Sequence, residues 1–170
     1  MVSRFFRPLA GIALCVPLLA GAADAQRQAD VAKRGADVMP FDLGATTHVF
    51  TTTSDGGVQR VVAKRSDDTV QVRLVRQHLR EIESEFRKGD FRGPEHIHGA
   101  DMPGLAQLRT APAGRISIDY RAIPGGAELA YRTRDPQLVR ALHAWFDAQL
   151  SDHGADAMDG QQHHPGHVRN

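Results

Sequence analysis

Apolar and β-branched residues recur with short period from Thr47 to Thr53 (T-H-V-F-T-T-T) and from Val58 to Lys64 (V-Q-R-V-V-A-K). Ser54-Asp55-Gly56-Gly57 separates the two runs. Two β-prone runs around Asp-Gly predict a hairpin. The period then lengthens. Between Val70 and Lys88, Val75, Leu79, Ile82 and Phe86 fall on one face of a helix. Asp67-Asp68 offers its N-cap, and Gly89 is placed to end it.

The same progression returns later. Arg115 to Ala122 (R-I-S-I-D-Y-R-A) alternates, Pro124-Gly125-Gly126 turns the chain, and Ala127 to Thr133 runs back. Asp135-Pro136 opens a helix whose apolar face carries Leu138, Leu142, Trp145, Phe146 and Leu150. Both hairpins turn at Gly-Gly, and both helices contain Leu-Val-Arg, at Leu74 and at Leu138. The expected order is β-β-α, loop, β-β-α. An α+β fold follows: one four-stranded antiparallel sheet with two main helices on one face, so that each hairpin buries the apolar side it cannot bury alone.

The ends of the chain read differently. Arg4 and Arg7, an apolar stretch from Leu9 to Leu19, and Ala23-Asp24-Ala25 form a secretory signal peptide over residues 1–25, with cleavage near Ala25. Residues 26–38 lack a sustained apolar stripe and read as a flexible lead-in to a single domain over 39–153. Residues 154–170 lose periodicity and read as a disordered, His-rich tail holding His163, His164 and His167, with His153 at its edge. The expected compartment is the periplasm or the exterior, with no membrane anchor after cleavage.

Removing residues 1–25 takes away Arg4, Arg7 and Asp24 and leaves 19 basic and 19 acidic residues. A neutral chain makes no electrostatic case for nucleic acid. The single cysteine, Cys15, goes with the leader. Disulfides, thiolate catalysis and thiolate metal ligands are therefore excluded from the mature chain, and any metal must be held by His, carboxylate or Met. Gly-x-Ser-x-Gly, phosphate-loop and Gly-x-Gly-x-x-Gly patterns are absent, so no nucleotide cofactor is expected.

Chemistry concentrates in the linker between the two halves, Gly89 to Leu105 (G-D-F-R-G-P-E-H-I-H-G-A-D-M-P-G-L). In extended chain His96 and His98 would point the same way and converge on one ligand. His78 lies at the edge of the first helix's apolar stripe beside Glu81, and His143 takes a similar place on the second helix. Imidazoles with a carboxylate suit zinc or copper, and Met102 suits copper better. His78, His96, His98, Met102 and His143 are thus the candidate ligands, with Glu81 or Glu95 as general base should the centre be hydrolytic. A metal-free module binding a small ligand or a partner protein is the third possibility.

Met39-Pro40-Phe41-Asp42-Leu43, Gly56-Gly57-Val58-Gln59, Gly99-Ala100-Asp101-Met102-Pro103-Gly104-Leu105 and Leu142-His143-Ala144-Trp145-Phe146-Asp147 resemble the corresponding blocks of a family of short exported proteobacterial proteins. The resemblance covers nearly all the mature chain and implies export, but no assigned activity. Members sometimes carry the name aspartate carbamoyltransferase. Nothing here supports that chemistry: the Ser-x-Ser/Thr-Arg-Thr loop is missing, and His164-Pro165-Gly166-His167 lacks the Gln of a His-Pro-x-Gln element.

Overall fold

The computed structural model describes residues 18–163. Strands β1 (Thr46–Thr53) and β2 (Gly56–Ala63) form the first hairpin and are followed by α2 (Thr69–Phe86). Strands β3 (Ser117–Ile123) and β4 (Gly126–Arg132) form the second, followed by α5 (Pro136–His153). The two β-β-α units thus fold as their periodicity predicts. Asp68 caps α2 by accepting from the Gln71 amide, and Asp135 caps α5 by accepting from Gln137.

The sheet corrects the expected architecture in one respect. It has five strands in the order β3-β4-β2-β1-β5, and β5 (Ala157–Asp159) lies parallel to β1, with His48 opposite Ala157. The sheet is mixed rather than four-stranded and antiparallel. The extra strand comes from the segment expected to be a disordered tail. After α5 a 3-10 turn (Gly154–Asp156) leads into β5, and Gln161 bonds Thr52 through its side chain. A three-residue strand is too short to leave a periodic trace in sequence. Residues 164–170, with His164 and His167, lie outside the described residues, as do 1–17 at the other end.

The expected flexible lead-in is also helical. Helix α1 (Leu18–Val38) docks on α3 (Arg92–His98) and α5. Its inner stripe is Gln28, Val31, Gly35 and Val38, spaced for one helical face, yet only two of these are hydrophobic. Polar latches supply the rest. Arg27 meets both oxygens of Asp152, with Nη2 2.8 Å from Oδ2, and Arg34 donates to the Ile97 carbonyl at 2.7 Å. Residues 21–25 of the same helix are exposed.

The core lies between the helices and one face of the sheet. Phe50, Val61, Ile118, Leu129 and Tyr131 meet Val75, Leu79, Leu142, Trp145 and Phe146, all nearly solvent-free. Trp145 sits edge-on to Phe86, Phe91 and Tyr131 at 6.0, 6.4 and 5.8 Å between ring centres. Each such buried side chain contributes about 1.5–3 kcal/mol, so the layer closes without a disulfide. Helix α4 (Leu105–Thr110) packs on α5 through Gly104. That residue has φ +77°, and a Cβ there would strike the Ala141 carbonyl oxygen, so only glycine allows this approach. Among the described residues no helix is long and apolar enough to cross a membrane.

Candidate functional site

Helices α1, α2, α3 and α5 and strands β1 and β2 line a cavity of about 60 Å³. That is room for an ion and a few waters, at roughly 10–15 Å³ per water. β1 contributes His48, α2 contributes His78, α3 contributes His98, and α5 contributes His153 near its end. The close of α1 and the residues after it add Val38, Met39 and Phe41. His48, His78 and His98 are 4%, 8% and 3% exposed, burial unusual for a residue so often left wet.

The four imidazoles are close neighbours. His48 stacks on His153 at 4.8 Å between centres, and His153 meets His98 edge-on at 5.2 Å. Phe41 joins the remaining pair, 5.9 Å from His48 and 5.6 Å from His78. All four rings are held below their ordinary pKa. Burial is the main cause throughout, and it brings His153 down to about 4. At neutral pH the cavity is therefore walled by neutral imidazoles, each with one nitrogen lone pair.

Hydrogen bonds fix where some of those lone pairs point. His98 Nδ1 lies 2.8 Å from Asp152 Oδ2, deep in the protein. Against the upward push of burial, hydrogen bonds from Arg27 and His98 hold the Asp152 carboxyl below its usual range. An ionised carboxylate only accepts, so His98 carries its proton on Nδ1 and its lone pair on Nε2. This carboxylate-imidazole arrangement is the one that orients metal-binding histidines. His153 Nε2 bonds Gln149 Oε1 at 3.1 Å, which leaves its lone pair on Nδ1. The His48 ring makes no hydrogen bond among the described residues; it lies between His153, Phe41 and Phe50.

The linker histidines separate. Residues 92–98 form α3, not extended chain: the Asp90 carboxylate takes the Arg92 amide at its start, and Pro94 falls in the first turn, where a missing donor costs nothing. Positions two apart on a helix point about 200° apart. His98 consequently faces the cavity, while His96 faces out, 53% exposed and 3.5 Å from Asp37. Among the predicted ligands the cavity gathers His78 and His98 and leaves out His96, Met102 and His143.

Each of those three has another setting. Met102 is buried and lines a separate surface pocket with Pro103 and Asp152. His143 Nε2 donates to the carbonyls of Thr53 and Gly56, both at 3.0 Å, and so ties α5 to the turn of the first hairpin. The proposed bases are also placed apart from the cavity wall. Glu95 pairs with Arg109 at 2.7 Å, and Glu81 is half exposed, 4.0 Å from His78 Nδ1. The carboxylate at the cavity is Glu85, at its exposed rim, raised by burial and by Asp90 and Glu81.

Sequence reasoning missed three members. His48 sat within a strand run, where only its alternation with Val49 marked it as inward-facing. His153 falls at the edge of the expected tail, beyond the apolar face that marks the second helix. Met39 was treated as the start of order rather than as a wall. Among the described residues no group of three or more His, Cys, Asp or Glu is placed so that it could hold a metal ion. The His48 and His153 planes lie 10° apart, face to face. Two stacked rings cannot both aim a nitrogen at one ion until one turns. No protein-family model, curated protein or solved structure matches this chain.

Proposed function

We propose that this chain is an exported transition-metal-binding protein, with copper or zinc held in the cavity by His48, His98 and His153 and with His78 at its side. The observation that carries the reading is the gathering of four neutral imidazoles on one small buried cavity, one of them oriented by Asp152. The His48, His98 and His153 rings lie 4.8 and 5.2 Å apart between centres, near enough for small ring rotations to bring their nitrogens toward one ion. Binding requires His48 or His153 to rotate out of the stack. Export is supported by the leader-like composition of residues 1–25 and by the change along α1, where exposed residues give way to docked ones just past Ala25. Cleavage there makes Arg27 the second residue of the mature chain and keeps its bond to Asp152.

Isothermal titration of zinc and copper into the mature chain carrying His163→Ala, His164→Ala and His167→Ala tests the proposal without interference from the C-terminal histidines. The expected result is one equivalent bound more tightly than about 10 μM, and lost in His98→Ala. Binding no tighter than that with either metal, or binding that survives His98→Ala, contradicts it. A melting temperature indifferent to metals and chelator would favour the metal-free ligand module instead.

A further inference from the structure

Two buried glutamines line the cavity, and each has half of its carboxamide already engaged. Gln59 Oε1, on β2, accepts from the Tyr131 hydroxyl at 2.9 Å. Gln149 Oε1, on α5, accepts from His153 Nε2 at 3.1 Å. The two NH2 groups make no hydrogen bond among the described residues. Nor are they packed away: the described side-chain nitrogens and oxygens that are sealed from solvent without a partner are Tyr120 Oη and Trp145 Nε1. Both NH2 groups therefore border open space, and the open space their residues line is the cavity.

Trp145 adds a third donor. It stands one helical turn before Gln149 on α5, lines the same cavity and is 1% exposed, and its indole N–H is buried with no partner. Buried donors are nearly always met, so this one points to an acceptor that the chain itself does not supply.

Acceptors are present as well. The Asp152 bond leaves the His98 lone pair on Nε2, and the Gln149 bond leaves that of His153 on Nδ1. No Lys or Arg lines the cavity, and Glu85, its one carboxylate, is exposed. An anion entering would find no counter-charge, while Val61, Leu79, Ile82 and Ile97 offer apolar contact. The wall is not closed: Ile82, Gly93 and Pro94 are only half-buried beside the exposed Glu85, which leaves a way in between α2 and α3. At roughly 10–15 Å³ per water-sized group, the 60 Å³ inside takes about four non-hydrogen atoms.

We infer that the cavity binds a small neutral carboxamide, whose carbonyl oxygen accepts from Trp145 and the glutamine NH2 groups and whose own NH2 donates to His98 Nε2. No ion is needed for this, so the inference goes beyond the proposed metal site and does not rest on it, although the two occupants use the same room.

Trp145 is the only tryptophan, so its indole N–H gives a single cross-peak in a ¹H–¹⁵N spectrum. The test titrates acetamide, acetate and acetone, planar probes of equal heavy-atom count, into the mature chain with EDTA present. Acetamide is expected to move the Trp145 signal saturably with a Kd of about 1–10 mM, within the limit for so small a ligand. Acetone, which lacks the NH2, should bind at least about fivefold more weakly, and acetate should leave the signal in place. Gln149→Glu keeps an acceptor for His153 but removes the donor, and should weaken acetamide about tenfold. The inference is overturned by no saturable shift with acetamide up to about 100 mM, by acetate or acetone binding as tightly, or by unchanged affinity in Gln149→Glu. Because EDTA removes metal ions, failure here leaves the metal site standing, and failure of the zinc and copper titrations leaves this site standing.

Discussion

The two β-β-α halves carry a histidine at almost the same place on their helices, yet the two do unlike work. His78 follows Leu74 of the first Leu-Val-Arg by four residues, and His143 follows Leu138 of the second by five. One residue is about 100° around a helix. His78 turns toward the cavity, where burial keeps it neutral; His143 turns to the hairpin and bonds two backbone carbonyls. The second half makes up the difference with His153, three turns of α5 further on. Equivalent sequence position therefore does not make equivalent chemistry. Phase on the helix does.

Substitutions that separate the halves should rank accordingly. The largest effect is expected for His98→Ala, which removes the imidazole that Asp152 orients and, on the proposed function, should weaken metal binding by about 100-fold or more, whereas His143→Ala leaves affinity unchanged. The same His143→Ala should instead lower unfolding free energy by about 1–2 kcal/mol in urea, because the Thr53 and Gly56 carbonyls lose their donor. Equal loss of metal in both variants would erase the distinction. Asp152→Asn comes next. It keeps the shape but weakens the hold on His98 and Arg27, and metal affinity should fall about 10–100-fold.

A pH effect on the metal-free protein follows from the cavity. Unfolded histidines take up protons near pH 6.5, while the folded cavity resists, His153 down to about 4. The unfolded state then binds more protons over that interval. Stability contributed by the neutral rings is complete above about pH 6.5 and is lost as pH falls, His153 giving up its share through about 4. Denaturation at a series of pH values should show this slope, and His48→Phe should reduce it. A slope unchanged by that variant would mean that His48 titrates alike in both states. Smallest of all, His96→Ala should shift stability by less than about 0.5 kcal/mol and leave metal affinity alone.

How much of this was legible in the sequence depends on whether periodicity carried it. Both hairpins, α2 and α5 show a sustained apolar period, and the Asp68 and Asp135 caps lie where the structure has them. Helix α1 was not legible, since its inner stripe is Gln28, Val31, Gly35 and Val38 and its hold on the domain is polar. α3 was masked by its glycine and proline, which sit where a short helix tolerates them. That error carried over to the site: reading residues 95–98 as extended aligned His96 with His98, and the helix places them on opposite sides. The inward turn of His48 and the extension of α5 to His153 depend on packing between distant segments, which local spacing does not encode.

Imidazole nitrogen shifts measured by long-range ¹H–¹⁵N NMR, before and after one equivalent of copper(I) or zinc, reach the central claim most directly. The expected result is movement of the nitrogens of His48, His98 and His153, with those of His96 and His143 in place. Movement confined to His96 or to the C-terminal histidines, with the cavity rings unchanged, would contradict it.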